Sequence, residues 1–365
     1  MACEAAVRSI RAEAYAIPPD APEADGTLEW HSTVMVLVQI EAGGKTGTGY
    51  TYSDASIVRL IEQKLADTIV GRPAMDIPGA TAALWRSIRN LGRSGLVATA
   101  ISAIDAALWD LKGKLLGQPV VALLGSCRDA VPIYGSGGFT CYSDARLRQQ
   151  LGGWVEQDGC RWVKMKIGSN PERDPERVAA ARQAIGDSGL FVDANGAFSA
   201  KQALGLAARI AEYDVTWFEE PVTSDDPEGL ALVRAAGPPG MDITAGEYGY
   251  NLDDFRRLLA APSVDVLQAD VTRCGGVTGF LQAAALCEAR HIDLSGHCAP
   301  AIHLHAACVA RRLRHLEWFH DHVRIEHMLF DGAPKPKDGR IAPDLSRPGL
   351  GLAFKTSDAE PYRIA

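Results

Sequence analysis

From residue 131 onward the chain repeats one unit, which is a short apolar strand, a break and an amphipathic helix. Strands separated by helices favour parallel pairing, because each helix returns the chain to the edge from which the strand started. Eight such strands predict a closed α/β barrel of the TIM type. The predicted strands span residues 131–134, 162–167, 190–193, 216–219, 242–245, 264–268, 292–295 and 316–319.

An open, doubly wound sheet is the alternative fold for the same alternation of strands and helices. Its nucleotide-binding form carries a G-x-G-x-x-G turn after the first strand, and none follows residues 131–134. The barrel is therefore the leading prediction.

The first third of the chain has a different order of predicted strands and helices. Residues 7–17 and 33–42 have strand patterns, and the turn G-G-K-T-G-T-G before Y-T-Y predicts a hairpin. Strands followed by helices indicate a separate α+β unit. The polar segment 18–32 is either a lid over a site or a plain surface loop. The predicted helices of this unit cover residues 55–70, 79–91 and 94–116.

Composition excludes several classes of protein. A chain of 365 residues that is 47% apolar can bury a large core, and one barrel with a smaller domain fits that length. The net charge of −8 comes without a basic stripe or aromatic-basic interleaving, so no nucleic-acid partner is expected. An acidic protein can still contain a cationic pocket.

The sequence contains no segment that predicts a membrane span. The start, M-A-C-E-A-A-V-R-S-I-R, lacks an apolar signal core, and the apolar stretch 95–111 is interrupted by Asp105 and Asp110. The eight cysteines, Cys3 among them, include no C-x-x-C pair, which predicts free thiols in a reducing cytoplasm.

Ionisable residues stand at the ends of seven successive predicted strands. Subtraction of residue numbers gives steps of 27, 26, 28, 23, 27 and 20, close to one strand-helix unit. Any one of them is more simply a solvated group at a loop start, whereas a chance alignment of all seven is improbable. In barrels of this kind the catalytic groups come from the carboxyl ends of the strands. The seven residues are Lys166, Asp193, Glu219, Glu247, Asp270, His297 and Glu317.

Asp193, Glu219 and Glu247 lie on three consecutive strands and are expected to converge. Three carboxylates at one place need a cation, and a hard divalent ion such as Mg²⁺ prefers oxygen ligands. Zinc would call for histidine or thiolate ligands. In F-E-E-P, Glu219 and Glu220 point to opposite faces, so we expect Glu219 to bind the metal and Glu220 to pair behind it.

Two candidate bases flank this metal site. Lys164 and Lys166 share one face of their strand, so the charge of Lys164 is expected to lower the pKa of Lys166. His297 comes one strand after Asp270, which is expected to hold one imidazole nitrogen and make the other a better base. The second and seventh strands carry Lys166 and His297, and therefore place them on opposing walls.

This arrangement suits removal of the proton next to a carboxylate. The product is a doubly charged enediolate, which the metal and Lys164 would stabilise. Glu317 could donate a hydrogen bond to the substrate carboxylate if its pKa is raised.

Other histidines and one cysteine lie near these motifs. In H-L-E-W-F-H-D-H-V-R-I-E-H, alternate histidines on an extended segment could form a second metal site, but no closing ligand pattern accompanies them. His303 and His305 are expected to be packing or surface residues. Cys298 could line the pocket, without anything to activate its thiol.

Taken in order, these motifs resemble those of the enolase superfamily and, within it, the mandelate racemase subgroup. The resemblance runs from A-I-S-A-I-D-A-A-L-W-D-L-K-G-K through K-M-K, V-D-A-N-G, W-F-E-E-P and A-G-E to A-D-V-T-R-C-G-G-V-T-G-F and S-G-H. The muconate-cycloisomerase subgroup is the alternative, and the pair Asp270 and His297 argues against it.

The resemblance implies a role for each site residue. It implies Mg²⁺ ligation by Asp193, Glu219 and Glu247, and base roles for Lys166 and for His297 with Asp270. It implies carboxylate contact by Lys164 and an electrophilic role for Glu317. Asn195 and Ser136 match positions that contact substrate in relatives.

The resemblance also implies an organisation for the chain. A capping domain would occupy residues 1–125, a modified (β/α)7β barrel residues 126–320, and a segment packed back on the cap residues 321–365. The partner would be a small-molecule carboxylate substrate, and relatives are commonly homo-oligomers.

Several functions stay open after this resemblance. Two bases on opposite faces permit dehydration of an acid sugar (an aldonate or aldarate), and they equally permit racemisation or epimerisation of a 2-hydroxy acid. The small and polar segment Y-G-S-G-G-F favours a polyhydroxy acid. A binding protein that keeps the fold without turnover is the third hypothesis.

Overall fold

The structure is a computed structural model that describes residues 5–365, so Cys3 lies outside the described residues. Its N-terminal part is an antiparallel sheet of order β1-β4-β5, together with a small β2–β3 hairpin. The strands are Ser9–Ile17 (β1), Glu23–Ala24 (β2), Glu29–Trp30 (β3), Thr33–Ala42 (β4) and Lys45–Tyr52 (β5).

The turn between β4 and β5 is shorter than the sequence predicted. Gly43 and Gly44 make the turn with φ of 54° and 73°, conformations that glycine adopts at little cost. Residues 45–49, expected to be part of the turn, belong to β5. A side chain at Gly47 would collide with the carbonyl oxygen of Ala107, so β5 lies directly on a helix.

That helix is Leu96–Leu116 (α4), the centre of the cap. Its buried face packs on β4 and β5 around residues such as Ile101, Ile104 and Leu108. The helices of this region are Ile57–Leu60 (α1), a π-helical turn Ile61–Leu65, Ala66–Ile69 (α2), Ile77–Ser87 (α3), α4 and Val120–Leu124 (α5).

Within the described residues, the eight following strands form a closed parallel barrel with seven helices between them. Each strand pairs with the next in sequence, and the last pairs with the first. The (β/α)7β prediction is confirmed. The strands are Val131–Gly137 (β6), Trp162–Lys166 (β7), Gly189–Asp193 (β8), Val215–Glu219 (β9), Asp242–Ala245 (β10), Val266–Ala269 (β11), Asp293–Gly296 (β12) and Leu313–Phe319 (β13).

The barrel helices begin where the sequence supplies capping side chains. Ser143, Asp226 and Asn251 each accept a hydrogen bond from a first-turn N–H group. The helices are Asp144–Glu156 (α6), Asp174–Ile185 (α7), Ala200–Ile210 (α8), Pro227–Ala236 (α9), Leu252–Ala260 (α10), Gly276–Arg290 (α11) and Pro300–Ala307 (α12).

The barrel interior is layered, because alternate residues of a strand share a face. The lower layer is aromatic and contains Tyr134, Phe191 and Trp217. Two residues further along β8 and β9 stand Asp193 and Glu219. The polar layer therefore lies on an apolar floor at the carboxyl end of the barrel.

The chain after the barrel returns to the cap. His320–Leu329 (α13) follows β13 directly, and the Tyr50 hydroxyl donates to Glu326 of this helix over 2.6 Å. The final residues pair with β1, where the N–H of Ile364 donates to the carbonyl of Ala14 over 2.8 Å. The short elements here are Phe330–Asp331 (β14), Arg340–Ile341 (β15), Ala353–Phe354 (β16) and Thr356–Ala359 (α14). The division at residues 125 and 320 remains a prediction.

Within residues 5–365, no helix combines the length and the apolar character needed to cross a bilayer.

His303 and His305, predicted as packing or surface residues, are both buried and act as backbone bridges. The Nδ1 of His305 accepts from the N–H of Val121 over 3.1 Å, and its Nε2–H donates to the carbonyl of Leu350 over 3.1 Å. Burial lowers the pKa of His305 to about 4. The ring is therefore held neutral between two fixed partners.

Replacing His305 by glutamine is expected to make the fold less sensitive to acid. An unfolded histidine binds a proton near pH 6.5, whereas folded His305 resists it down to about pH 4, so stability falls as the pH drops. Between about pH 7 and pH 5 this one group costs about 2 kcal/mol. Glutamine keeps one acceptor and one donor without titrating. Urea unfolding across that range should show a shallower loss for His305→Gln, and an unchanged loss for His327→Gln on the surface would serve as the control.

Candidate active site

Three carboxylates converge at the carboxyl end of the barrel. Asp193 ends β8, Glu219 ends β9 and Glu247 follows β10; each contributes an oxygen that lies within 4.8 Å of the other two. All three are buried. Burial, followed by the charge of Asp193, raises the pKa of Glu219 to about 8. Burial therefore disfavours three negative charges at this place unless cations neutralise them.

The oxygen atoms of this cluster fit a hard divalent cation. The Oε2 of Glu247 is buried and accepts no hydrogen bond from the described part of the chain. Trp217 donates to Glu219 Oε2 over 2.9 Å, which orients that carboxylate from the aromatic layer below. An all-oxygen donor set is the kind that Mg²⁺ prefers. These residues would therefore hold such an ion.

The two lysines of β7 enter this cluster from one side. Lys164 Nζ lies 2.7 Å from Glu219 Oε1 and 2.8 Å from Glu317 Oε1. Lys166 Nζ lies 2.5 Å from Asp193 Oδ2 and 3.0 Å from Asn195 Oδ1. The shared face inferred from their spacing is confirmed.

The predicted lowering of the Lys166 pKa is wrong for these surroundings. Burial and Lys164 do lower it, but Asp193, Glu247 and Glu219 outweigh them, and the pKa of Lys166 is raised. The sequence correctly predicted that Lys166 lies on the same face of the strand as Lys164. It did not show how close the carboxylates of three other strands would come.

His297 faces the same cluster from the other side. Asp270 Oδ2 lies 2.8 Å from Nδ1 of His297, while Nε2 lies 3.3 Å from Glu247 Oε2. Burial disfavours the charged ring, but Glu247 and Asp270 outweigh it and raise the pKa of His297. The pairing of Asp270 with His297 is as expected. His303 supports it by accepting from the N–H of Val271 over 2.8 Å.

Glu317 differs from its prediction. Instead of a neutral acid with a raised pKa, it is an ionised acceptor. Ser136 Oγ donates to its Oε1 over 2.6 Å, and the N–H of Cys298 donates to its Oε2 over 2.9 Å. Burial opposes ionisation, but Lys164 and His297 hold the pKa of Glu317 well below its usual range. Ser136, expected at the substrate, here orients Glu317.

Glu220 is buried behind the cluster, and its expected ion pair is not formed within the described residues. Its Oε1 accepts no hydrogen bond from them, and its φ of 37° is unusual for a residue with a side chain. Burial and Glu247 raise the pKa of Glu220 well above its usual value. Protonation of Glu220 is therefore easier than that of a carboxylate in water.

Segment 18–32 forms a lid over the mouth of the barrel. Its β2–β3 hairpin places Gly26 so close to the ends of β7 and β8 that an added Cβ would lie 2.6 Å from the carbonyl oxygen of Ile167. At its other end Trp30 packs edge-on against Phe139, with ring centroids 5.6 Å apart. Of the two interpretations of this segment, the structure favours the lid.

The wall under Trp30 is aromatic, contrary to the small and polar wall expected from Y-G-S-G-G-F. Phe139, the last residue of that stretch, is buried with Tyr142, Phe319 and Cys298. Phe319 stands two residues beyond Glu317 on β13, so it lies one layer nearer the mouth. Cys298 Sγ lies 3.2 Å from His297 Nε2, which joins this wall to the candidate base.

Arg273 is a site residue that the sequence reasoning missed. Its Nη1 lies 3.2 Å from Glu247 Oε1, and its guanidinium lies 5.0 Å from the centroid of the Tyr248 ring. It also approaches Asp270 Oδ2 at 3.8 Å. The available signal was its position three residues after Asp270, in the loop at a strand end.

The histidines of the run 315–327 do not converge on one ion. The segment is not extended throughout, because β13 ends at Phe319 and α13 begins at His320. His315 lies in the lower barrel layer against Tyr134, and the Nε2–H of His327 donates to the carbonyl of Pro334. The ligand set suggested for a second metal site is therefore wrong.

Family models match both parts of the chain. The N-terminal domain of mandelate racemase and muconate lactonizing enzyme matches residues 16–125. The enolase C-terminal domain-like model matches residues 146–359.

Curated relatives match over most of their length. The 3,6-anhydro-alpha-L-galactonate cycloisomerase of Streptomyces coelicolor is 33% identical over 95% of this chain and 97% of its own. The L-talarate/galactarate dehydratase of Salmonella typhimurium is 33% identical over 88% of this chain and 80% of its own.

Solved structures agree in fold over nearly the whole chain. A mandelate racemase/muconate lactonizing enzyme-like protein from Rubrobacter xylanophilus is 50% identical, with a TM-score of 0.96 over 98% of this chain and 100% of its own. A racemase from Streptomyces coelicolor with bound magnesium is 30% identical, with a TM-score of 0.92 over 98% of this chain and 100% of its own.

Proposed function

The chain belongs to the mandelate racemase/muconate lactonizing enzyme family of the enolase superfamily, and from that premise we propose that it removes the α-proton of an acid sugar and dehydrates it to a 2-keto acid. The observation that carries this proposal is the placement of Lys166 and His297 on two sides of one carboxylate cluster. A substrate carboxylate held at the cluster would present its α-carbon between them.

Each residue of the cluster has a part in this proposal. Asp193, Glu219 and Glu247 would bind Mg²⁺, which supplies charge for the substrate carboxylate and makes its α-proton more acidic. Lys164 would hold the substrate carboxylate, since it is buried and already contacts the carboxylates around it. Glu317, kept ionised by Lys164, would accept a hydrogen bond from a substrate hydroxyl rather than donate one.

A base role for Lys166 requires a lower pKa than this amine has beside carboxylates that bind no metal. The carboxylates that raise it, Asp193, Glu247 and Glu219, are those that the proposal assigns to the metal. When their charge is shared with a cation, burial and Lys164 remain, and both lower the pKa of Lys166. The neutral amine needed for proton removal is then favoured.

Dehydration needs an acid as well as a base. With Lys166 as the base, His297 would protonate the departing β-hydroxyl, because Asp270 and Glu247 favour its charged form. The name of the Salmonella typhimurium relative, a dehydratase of two acid sugars, supports this reaction for the present chain. Epimerisation of a 2-hydroxy acid uses the same two groups and remains the second candidate.

The expected result of a substrate screen is formation of a 2-keto acid from at least one acid sugar. Purified protein with Mg²⁺ would be incubated with a library of aldonic and aldaric acids, and products trapped with semicarbazide. Parallel reactions in D₂O would report α-hydrogen exchange. Exchange without keto acid from every member would favour the epimerase, and neither exchange nor product would contradict both candidates.

A soluble homo-oligomer in the cytoplasm, acting on a small carboxylate, completes the proposal. Size-exclusion chromatography with light scattering would measure the number of subunits.

A further inference from the structure

Glu23, on strand β2 of the lid, is a carboxylate buried with too few partners. The residue is 0% exposed, and its Oε2 accepts from the indole N–H of Trp30 over 2.7 Å. Its Oε1 is buried and accepts no hydrogen bond from any residue in the range 5–365. Burial, with the charges of Asp321 and Asp20, raises the pKa of Glu23 to about 8. A buried oxygen in this condition needs a hydrogen-bond donor, a proton or a cation as its partner.

The nearby cations are already engaged. Arg324 binds Asp321 over 2.5 Å and donates to the carbonyl of Pro18 over 2.7 Å. Within the described chain, no lysine or arginine forms an ion pair with Glu23. A positive charge from outside the polypeptide would therefore satisfy Glu23 without breaking the ion pair of Arg324 with Asp321.

Two further donors meet Glu23 at this place. Asp20, also on the lid, and His320, the first residue of α13, each offer one atom, and these lie within 4.8 Å of one another and of a Glu23 oxygen. His320 Nε2 lies 2.9 Å from Asp20 Oδ1. Ligands bound about 2.0–2.1 Å from one tetrahedral ion lie about 3.4 Å apart. His320 and Asp20 are already close to that spacing, and the Glu23 oxygen lies within 4.8 Å of each.

The donor set differs from that of the carboxylate cluster. One imidazole nitrogen and two carboxylate oxygens are typical ligands for Zn²⁺, whereas three carboxylates favour Mg²⁺. The side chains of His320 and Asp20 are 20% and 42% exposed, while Glu23 is enclosed. An ion could thus enter from solvent and keep water on its open side.

We propose that Asp20, Glu23 and His320 form a second metal site, for a zinc-like divalent ion, which joins the lid to the barrel. Two ligands come from the lid and the third from the helix that follows β13, so a bound ion connects the two directly. The ion would replace the proton that His320 shares with Asp20, and it would supply the positive partner that Glu23 lacks. The site goes beyond the proposed function, because its occupancy is measured without turnover.

The first test is a count of bound zinc. Full-length protein would be saturated with Mg²⁺ and equilibrated with Zn²⁺, and the tightly bound zinc measured by competition with a chromogenic chelator. Wild type is expected to bind one equivalent more than Glu23→Gln and one more than His320→Ala. Glu29→Gln, on the paired strand of the same hairpin, and His327→Ala, on the same helix, are matched controls that should keep the extra equivalent.

The second test measures the lid itself. Amide hydrogen exchange of residues 18–32 is expected to slow at least tenfold with Zn²⁺ in wild type, and to be unaffected by Zn²⁺ in Glu23→Gln. Equal zinc counts in wild type and both ligand variants would overturn the site. Loss of the extra equivalent in the control variants would overturn it as well. A normal count with unchanged lid exchange would overturn the connection between lid and barrel.

Discussion

Replacing Lys166 by alanine is expected to lower kcat at least a thousandfold while bound Mg²⁺ is retained. General base catalysis contributes about 10²–10⁴ in rate, and Lys166, whose Nζ lies 2.5 Å from Asp193 Oδ2, is the proposed base. His297→Asn should cause a loss of similar size, with the Asp270 contact at Nδ1 preserved in part by the amide. Thermal unfolding of both variants with Mg²⁺ present would check that each remains folded.

The two variants also distinguish the reactions. For dehydration, with Lys166 as base, Lys166→Ala should abolish α-hydrogen exchange in D₂O, whereas His297→Asn should still exchange without eliminating the hydroxyl. For epimerisation, each variant should exchange one epimer only. NMR of the substrate α-position measures both outcomes. Lys201→Ala, at an exposed position on α8, is the control. Wild-type exchange and turnover in both site variants would contradict the assignment of the bases.

Replacing Glu219 by glutamine is expected to weaken Mg²⁺ binding at least a hundredfold. The change preserves the shape of the side chain and the acceptor for Trp217, but removes one of three charges that the metal would neutralise. Asp193→Asn should have an effect of the same size. Calorimetric titration with Mg²⁺ measures this affinity directly.

A stability measurement separates metal binding from a structural role. Burial and Asp193 make the charged form of Glu219 unfavourable, with its pKa raised to about 8, so Glu219→Gln should not lower Tm when Mg²⁺ is absent. The stabilisation that Mg²⁺ adds to wild type should be lost in the variant. Glu212→Gln, on the exposed side of the barrel, should retain both properties. A lower Tm without Mg²⁺ and normal Mg²⁺ affinity would assign Glu219 a purely structural role.

Much of the fold and the candidate site could be predicted from local patterns. The period of two along a strand determines that Lys164 and Lys166 share a face, and that Asp193 stands one layer above Phe191. The regular spacing of strand-helix units places successive strand ends around one rim. The convergence of Asp193, Glu219 and Glu247 follows from these two periodicities.

Tertiary structure alone determined which site residues are charged and that segment 18–32 covers the site. The pKa values of Lys166 and Glu317 depend on distances to groups from several strands, and those distances are set by packing rather than by sequence spacing. Arg273 meets Glu247, and Glu23 meets His320, across long intervals of sequence. The sequence by itself determined which residues reach the rim of the barrel, because strand periodicity is local. Only the folded chain determined which of them are charged and what covers them, because electrostatic energy and burial sum over neighbours that are remote in sequence.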